Sequence, residues 1–215
     1  MNRENLIITI GRELGSGGHI IGERLAEYYG IPLYDRDLLK KVSEEYDIEY
    51  EELEEYEEKP INVFLSRTVH GFSSSLQDAI AHLEFDFIRE HADMGESFVV
   101  VGRCAEEVLK DYDNAIKIFV LGDYDAKVRQ IMNQFSLTEE EAMNMIKDID
   151  KKRKHYHNHY CETKWGDSRN YDISINSSRF GIEGTAEFLK TYIDLRLEQE
   201  EQKEDEEVWI LSETE

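Results

Sequence analysis

Ile7-Ile8-Thr9-Ile10-Gly11-Arg12-Glu13-Leu14-Gly15-Ser16-Gly17-Gly18-His19 is the stretch that decides the fold of this 215-residue chain. Apolar, β-forming residues run from Leu6 to Ile10, as in a strand buried on both faces. The glycines at 15, 17 and 18 let backbone N–H groups turn inward around an anion beside a helix N-terminus. The following segment, from about Gly18 to Tyr29, places Ile21, Leu25 and Tyr28 on one helical face, and Gly30 stands where a C′ glycine ends a helix. This is the layout of a phosphate-binding loop without its lysine. The first lysine of the chain is Lys40.

Outward from this turn, strands and helices alternate. Ile31-Pro32-Leu33-Tyr34 predicts a second short strand, with proline near its start where a missing N–H is tolerated. From Asp35 to Gly95 the pattern reads as helical, with an acidic excursion over 43–59 and a stronger helix over 73–94. Phe98-Val99-Val100-Val101 predicts a central parallel strand, and Ile116 to Leu121 the next. Thr138 and Glu141 form a capping box for the helix bearing Ala142, Met145 and Ile149. Tyr171 to Ile175 predicts the last strand, and a final helix begins near Gly181. Such alternation predicts a three-layer α/β/α fold around a five-stranded parallel sheet, whose ligands bind beyond the carboxyl ends of the strands.

Composition narrows the partners. The net charge is −23, from 48 acidic against 25 basic residues, which repels nucleic acid and anionic membranes. The two cysteines, Cys104 and Cys161, make neither a disulfide framework nor a metal-type pair. The N-terminus carries no signal-peptide apolar region, and no apolar run approaches the ~20 residues of a membrane span. A cytoplasmic protein is expected, binding neither nucleic acid nor membrane.

Read literally, the glycine turn fits two nucleotide motifs imperfectly. G-x-G-x-x-G needs glycine at position 20, which is Ile20, although Asp35 stands where the ribose-binding acid belongs. In G-x-x-x-x-G-K-[ST], with Gly17 as the last glycine, Gly18 takes the lysine position and Arg12 the first glycine position. A plain tight turn between strand and helix is the third reading. Arg12 and Ser16 add a cation and a hydroxyl that a bare turn does not require.

Taken together, Ile10 to Gly18, Ile31 to Arg36, Val99 to Arg103 and Tyr171 to Asn176 resemble the cytidylate kinase-like family, a branch of the P-loop nucleoside monophosphate kinases without the loop lysine. The resemblance spans about residues 6–195. It implies a P-loop NTPase-like fold with a helical acceptor-binding insertion over about 36–95 and a short lid over about 150–170, followed by an acidic tail over 197–215. It also implies phosphoryl transfer from ATP, with Mg²⁺, to a nucleoside monophosphate such as CMP.

On this resemblance Gly15, Ser16, Gly17, Gly18 and His19 take the donor-phosphate loop. Asp35, Arg36 and Arg103 take the acceptor side, and Lys151, Lys152 and Arg153 the lid. Arg12, Arg103 and Arg153 are the expected catalytic cations, with Arg12 substituting for the lysine, and no protein metal site is expected. Asp35 also reads as a helix N-cap. The bases at 151–154 also read as a helix end offsetting the macrodipole. Two rival functions remain at this point: a non-catalytic nucleotide- or phosphate-sensing module and a dinucleotide-dependent oxidoreductase. The C-terminal helix or tail leaves a homo-oligomer open.

Overall fold

The computed structural model describes residues 5–35, 37–46, 68–69, 72–73 and 76–213. Strand β1 (Ile7–Arg12) leads into α1 (Gly18–Tyr29), β2 (Leu33–Tyr34) and α2 (Leu38–Glu45). A two-stranded antiparallel pair, β3 (Thr68–Val69) and β4 (Phe72–Ser73), precedes α3 (Leu76–Asp93). Then come β5 (Phe98–Val101), α4 (Ala105–Val108), β6 (Ala115–Leu121), α5 (Tyr124–Phe135) and α6 (Glu139–Tyr160). After a 3₁₀ turn (Ser168–Asn170) the chain ends in β7 (Ile173–Asn176) and the long α7 (Gly181–Glu213).

The main sheet has the order β2-β5-β1-β6-β7, and every neighbouring pair is parallel. Each strand is therefore linked to the next by a crossover, and the apolar runs seen in the sequence are buried on both faces. Strand periodicity divides them. Ile8, Ile10, Val99, Val101, Ile118 and Val120 meet Ile21 and Leu25 of α1 and Leu189 and Ile193 of α7. Ile7, Phe98 and Val100 meet Leu38 and Val42 of α2, Phe87 and Ile88 of α3, and Ala105 and Leu109 at α4. Truncating a fully buried position such as Ile8 to alanine costs ~2–5 kcal/mol.

The same division positions the site. β1 and β5 are hydrogen-bonded neighbours, yet α1 leaves β1 toward one face of the sheet and α4 leaves β5 toward the other. A crevice opens where two such adjacent connections part, at the carboxyl ends of the strands.

Two features depart from the sequence reading. Thr68–Val69 and Phe72–Ser73, in a stretch expected to be helical, pair antiparallel, as suits β-branched and aromatic residues. In a dinucleotide fold the second strand lies beside the first. Here β5 separates β1 from β2, so the dinucleotide-dependent oxidoreductase is set aside. Most of the acidic 43–59 excursion lies outside the described residues. Among the described residues no helix is long and apolar enough to cross a membrane.

Candidate active site

The loop between β1 and α1 is held from three directions. Gly15 and Gly17 both adopt φ of +78°, which turns the chain sharply before α1 begins. From just beyond β7, the buried Ser177 hydroxyl donates to the Ser16 carbonyl at 2.6 Å. From α6, an Asp150 carboxylate oxygen accepts the Leu14 N–H at 2.7 Å. From α5, Lys127 reaches Glu13 at 2.9 Å and Asp150 at 3.6 Å, its ammonium almost fully buried between the two acids. Glu13 also accepts the Gly122 N–H at 3.2 Å. The result is a fixed loop over the first turn of α1, whose leading N–H groups have no helical acceptor, an arrangement suited to an anion.

Arg12 lies across this loop. A Cβ at Gly18 would sit 2.6 Å from the Arg12 Cβ, and a Cβ at Gly102 would overlap the Arg12 guanidinium. The side chain therefore runs over Gly18 and across the crevice between the ends of β1 and β5. Gly18 occupies the position where a loop lysine is expected, and the Arg12 stem fills the space that any side chain there would need. The two departures from the motif are one: glycine at 18 makes room for the cation from 12.

On the far wall, Gly102, Arg103 and Cys104 all have positive φ, of 84°, 57° and 54°. Two successive non-glycine residues in the left-handed region are strained by ~1–2 kcal/mol each, a pattern that recurs at functional sites. The turn aims Arg103 at Glu84 of α3, 3.2 Å away and only 1% exposed. Tyr156 of α6 is buried beside this pair, and burial together with the Glu84 charge pushes its phenol well above the usual range.

Arg153 completes the group of cations. Its guanidinium donates to the Arg12 carbonyl at 3.3 Å and lies 3.8 Å from Asp150. Lys151 and Lys152 sit on the same helix but are exposed. All three lie inside the 22-residue α6, which starts at the expected capping box of Thr138 and Glu141.

The remaining expected residues fall as follows. Ser16 is buried, and its hydroxyl donates to the Glu13 carbonyl at 2.8 Å, so it shapes the turn. His19 faces Asp35 at 3.4 Å and Glu23 at 3.3 Å, away from the loop amides. Asp35 accepts the Asp37 N–H at 3.1 Å, while the N-cap of α2 is Asp37. Arg36 lies outside the described residues. Asp123 takes the N-cap position of α5, but its carboxylate accepts from Asn176 at 2.8 Å instead of capping the helix.

The sequence reading missed Glu13, Lys127 and Asp150. The signal was present at Lys127, a lysine sharing the inward helical face of Val128 and Ile131.

A model of the cytidylate kinase-like family matches residues 7–179. The chain belongs to that family. Curated relatives include the cytidylate kinase of Pyrococcus horikoshii, 25% identical with 90% of this chain and 91% of that protein covered. Another is the cytidylate kinase of Methanopyrus kandleri, 24% identical with 92% and 97% covered. Among solved structures, an uncharacterized protein from Eubacterium ventriosum is 42% identical, with a TM-score of 0.69 over 88% of this chain and 98% of that one. A shikimate kinase from Bacteroides thetaiotaomicron shares the fold, with a TM-score of 0.52 at 14% identity. The glycine turn thus belongs to a P-loop kinase fold, in a family of nucleotide kinase-like proteins.

Proposed function

We propose that the protein transfers the γ-phosphoryl group of ATP to a nucleoside monophosphate, with CMP as the preferred acceptor. The observation that carries this reading is Arg12, laid over Gly18 and across the crevice where donor and acceptor phosphates would meet. Phosphoryl transfer asks the protein for alignment and for cations that follow the charge into the transition state. The α1 N-terminus and the loop amides would hold the donor phosphates. Arg12 would take the part of the loop lysine, between donor and transferred group. Arg103, preset by Glu84, would hold the acceptor phosphate, and Asp35 with Arg36 would line the acceptor side. Arg153 already touches the loop, whereas Lys151 and Lys152 would reach it only on closure of the lid.

The fit to Mg²⁺ is indirect. Ser16 is committed to a backbone carbonyl, and the described residues offer no group of three or more His, Cys, Asp or Glu that could hold a metal. Mg²⁺ would come with the donor nucleotide and would offset the charge of its phosphates.

ADP release with ATP, Mg²⁺ and a panel of nucleoside monophosphates tests the proposal. Turnover with CMP well above the other acceptors is the expected result. No turnover with any acceptor, while ATP or CMP still raises the melting temperature, would replace the kinase with a sensing module.

A further inference from the structure

The long α7 presents three faces. Leu189 and Ile193 are buried in the core. The flank toward α1 is tied by Glu183 to Arg24 at 3.2 Å, and by Lys190, whose ammonium lies 3.9 Å from the centre of the Tyr28 ring. On the third face Phe188, Thr191, Leu195, Gln199 and Gln202 follow the helical repeat of three and four. All five are exposed, and none carries a charge. The helix holds eleven acidic and three basic residues, so a neutral stripe is not what its composition alone would give.

Both ends of this stripe are apolar. At its start the rings of Phe180 and Phe188 stack with centroids 6.0 Å apart, yet they stay 62% and 45% exposed. A Cβ at Gly181 would meet nothing within 4 Å, so the surface beside these rings is open. At the other end the helix outruns the fold. Among the described side chains Leu197 is the last of α7 packed on the core, and Glu201, Gln202 and Lys203 are exposed. The helix nevertheless continues to Glu213, an overhang of about 24 Å. Near its end stands Val208-Trp209-Ile210-Leu211, an apolar tetrad on an acidic segment.

The spacing makes the two ends complementary. Leu195, 55% exposed, is the midpoint, with Phe180 fifteen residues before it and Ile210 fifteen after. Gly181 and Trp209 each lie fourteen residues away, and Phe188 and Gln202 seven. Run backwards against itself, the stripe sets its largest side chain over its smallest. Glu206, the one acid that continues the repeat, falls opposite Gly184, where no side chain meets it.

We propose that the chain forms a two-fold dimer in which α7 packs antiparallel on α7 of a second copy, about an axis at Leu195. Trp209 of each copy fills the open surface over Gly181 of the other, against Phe180 and Phe188. A parallel pair would instead set the acidic stretch over 198–207 against itself, which like-charge repulsion opposes. The dimer does not rest on the kinase reading.

Sedimentation velocity of the full chain over a dilution series tests the proposal. A reversible dimer is expected. Leu195→Glu sets two carboxylates against each other on the axis and should raise the dimer Kd by at least ~10²-fold, with circular dichroism unchanged. Trp209→Ala should raise it ~10-fold or more. Phe188→Cys chains mixed with Gln202→Cys chains should cross-link on oxidation, and neither variant alone should do so. In a Trp165→Phe chain, where Trp209 is the only tryptophan, emission should move to the red as the dimer dissociates. A chain that stays monomeric at every concentration, with Trp209 emission unchanged on dilution, would place the tip on its own body or in water and overturn the proposal. A dimer indifferent to Leu195→Glu does the same, and Phe188→Cys chains that cross-link among themselves overturn the antiparallel register.

Discussion

The loops after β1 and β5 end neighbouring parallel strands, and both turn through positive φ, but they do so with opposite chemistry. After β1 the left-handed positions are Gly15 and Gly17, and what the loop has to offer a ligand is its backbone amides. After β5, following Gly102, they are Arg103 and Cys104, and strain is accepted so that side chains can leave in fixed directions. The first loop is braced from outside by Ser177, Asp150 and Lys127. The second is anchored by its own side chains, Arg103 on Glu84 and Cys104 in a buried cluster with Ala81 and Phe85. A loop that binds through its backbone needs its neighbours to hold it, and a loop that binds through side chains must hold itself. Arg12 bridges the two.

The bridge is where the comparison breaks most readily. Arg12→Ala should lower kcat/KM by ~10²–10³-fold, the scale of removing one preorganised transition-state donor. Gly18→Lys, which writes the loop lysine back in, is expected to lower activity as well, by ~10²-fold. Its Cβ would lie 2.6 Å from that of Arg12 and displace it. Recovery or gain of activity in Gly18→Lys, measured by ADP release, would show that the glycine is not there for Arg12.

The β5 side is tested through stability. Removing Glu84, 1% exposed, strands the Arg103 guanidinium without its acidic partner. Glu84→Ala should cost about 3–5 kcal/mol in chemical denaturation, with Glu84→Gln recovering part of it. A loss below about 1 kcal/mol would mean that the left-handed turn does not depend on this ion pair.

How far the sequence reaches differs between the two loops for the same physical reason. Glycine positions, apolar runs and caps are local. α1 spans Gly18–Tyr29 and is closed by Gly30 at φ 66°, and α6 opens on its capping box, both as expected. The braces are not local. Nothing in a strand-by-strand reading says that β5 will lie between β1 and β2, so the crossing of Arg12 to Gly102 could not be foreseen. Asp150 was passed over although it precedes the bases at 151–153, because its partner Leu14 is 136 residues away. The family resemblance puts His19 in the donor loop, whereas its ring faces Asp35 and Glu23. Side-chain direction at a helix start follows the helix and not the motif.

The smallest effect is expected at Asp150, and it sharpens the idea of outside bracing. An asparagine there keeps an oxygen for the Leu14 N–H but leaves Lys127 with Glu13 alone. Asp150→Asn should therefore raise the KM for ATP a few-fold and leave kcat nearly unchanged. Its stability has a distinct sign. Burial raises the Asp150 carboxyl above the ordinary aspartate value, outweighing Leu14, Lys127 and Arg153. A raised carboxyl favours folding below its unfolded value, and that contribution is lost as pH climbs through the folded one. The variant does not ionise there, so its unfolding midpoint relative to the native protein should rise from ~pH 3 toward neutrality. Thermal denaturation of both proteins across that range measures it. A relative midpoint that falls instead would mean that the ionised carboxylate stabilises the fold, which makes the salt bridge to Lys127, more than the bond to Leu14, the brace that holds the loop.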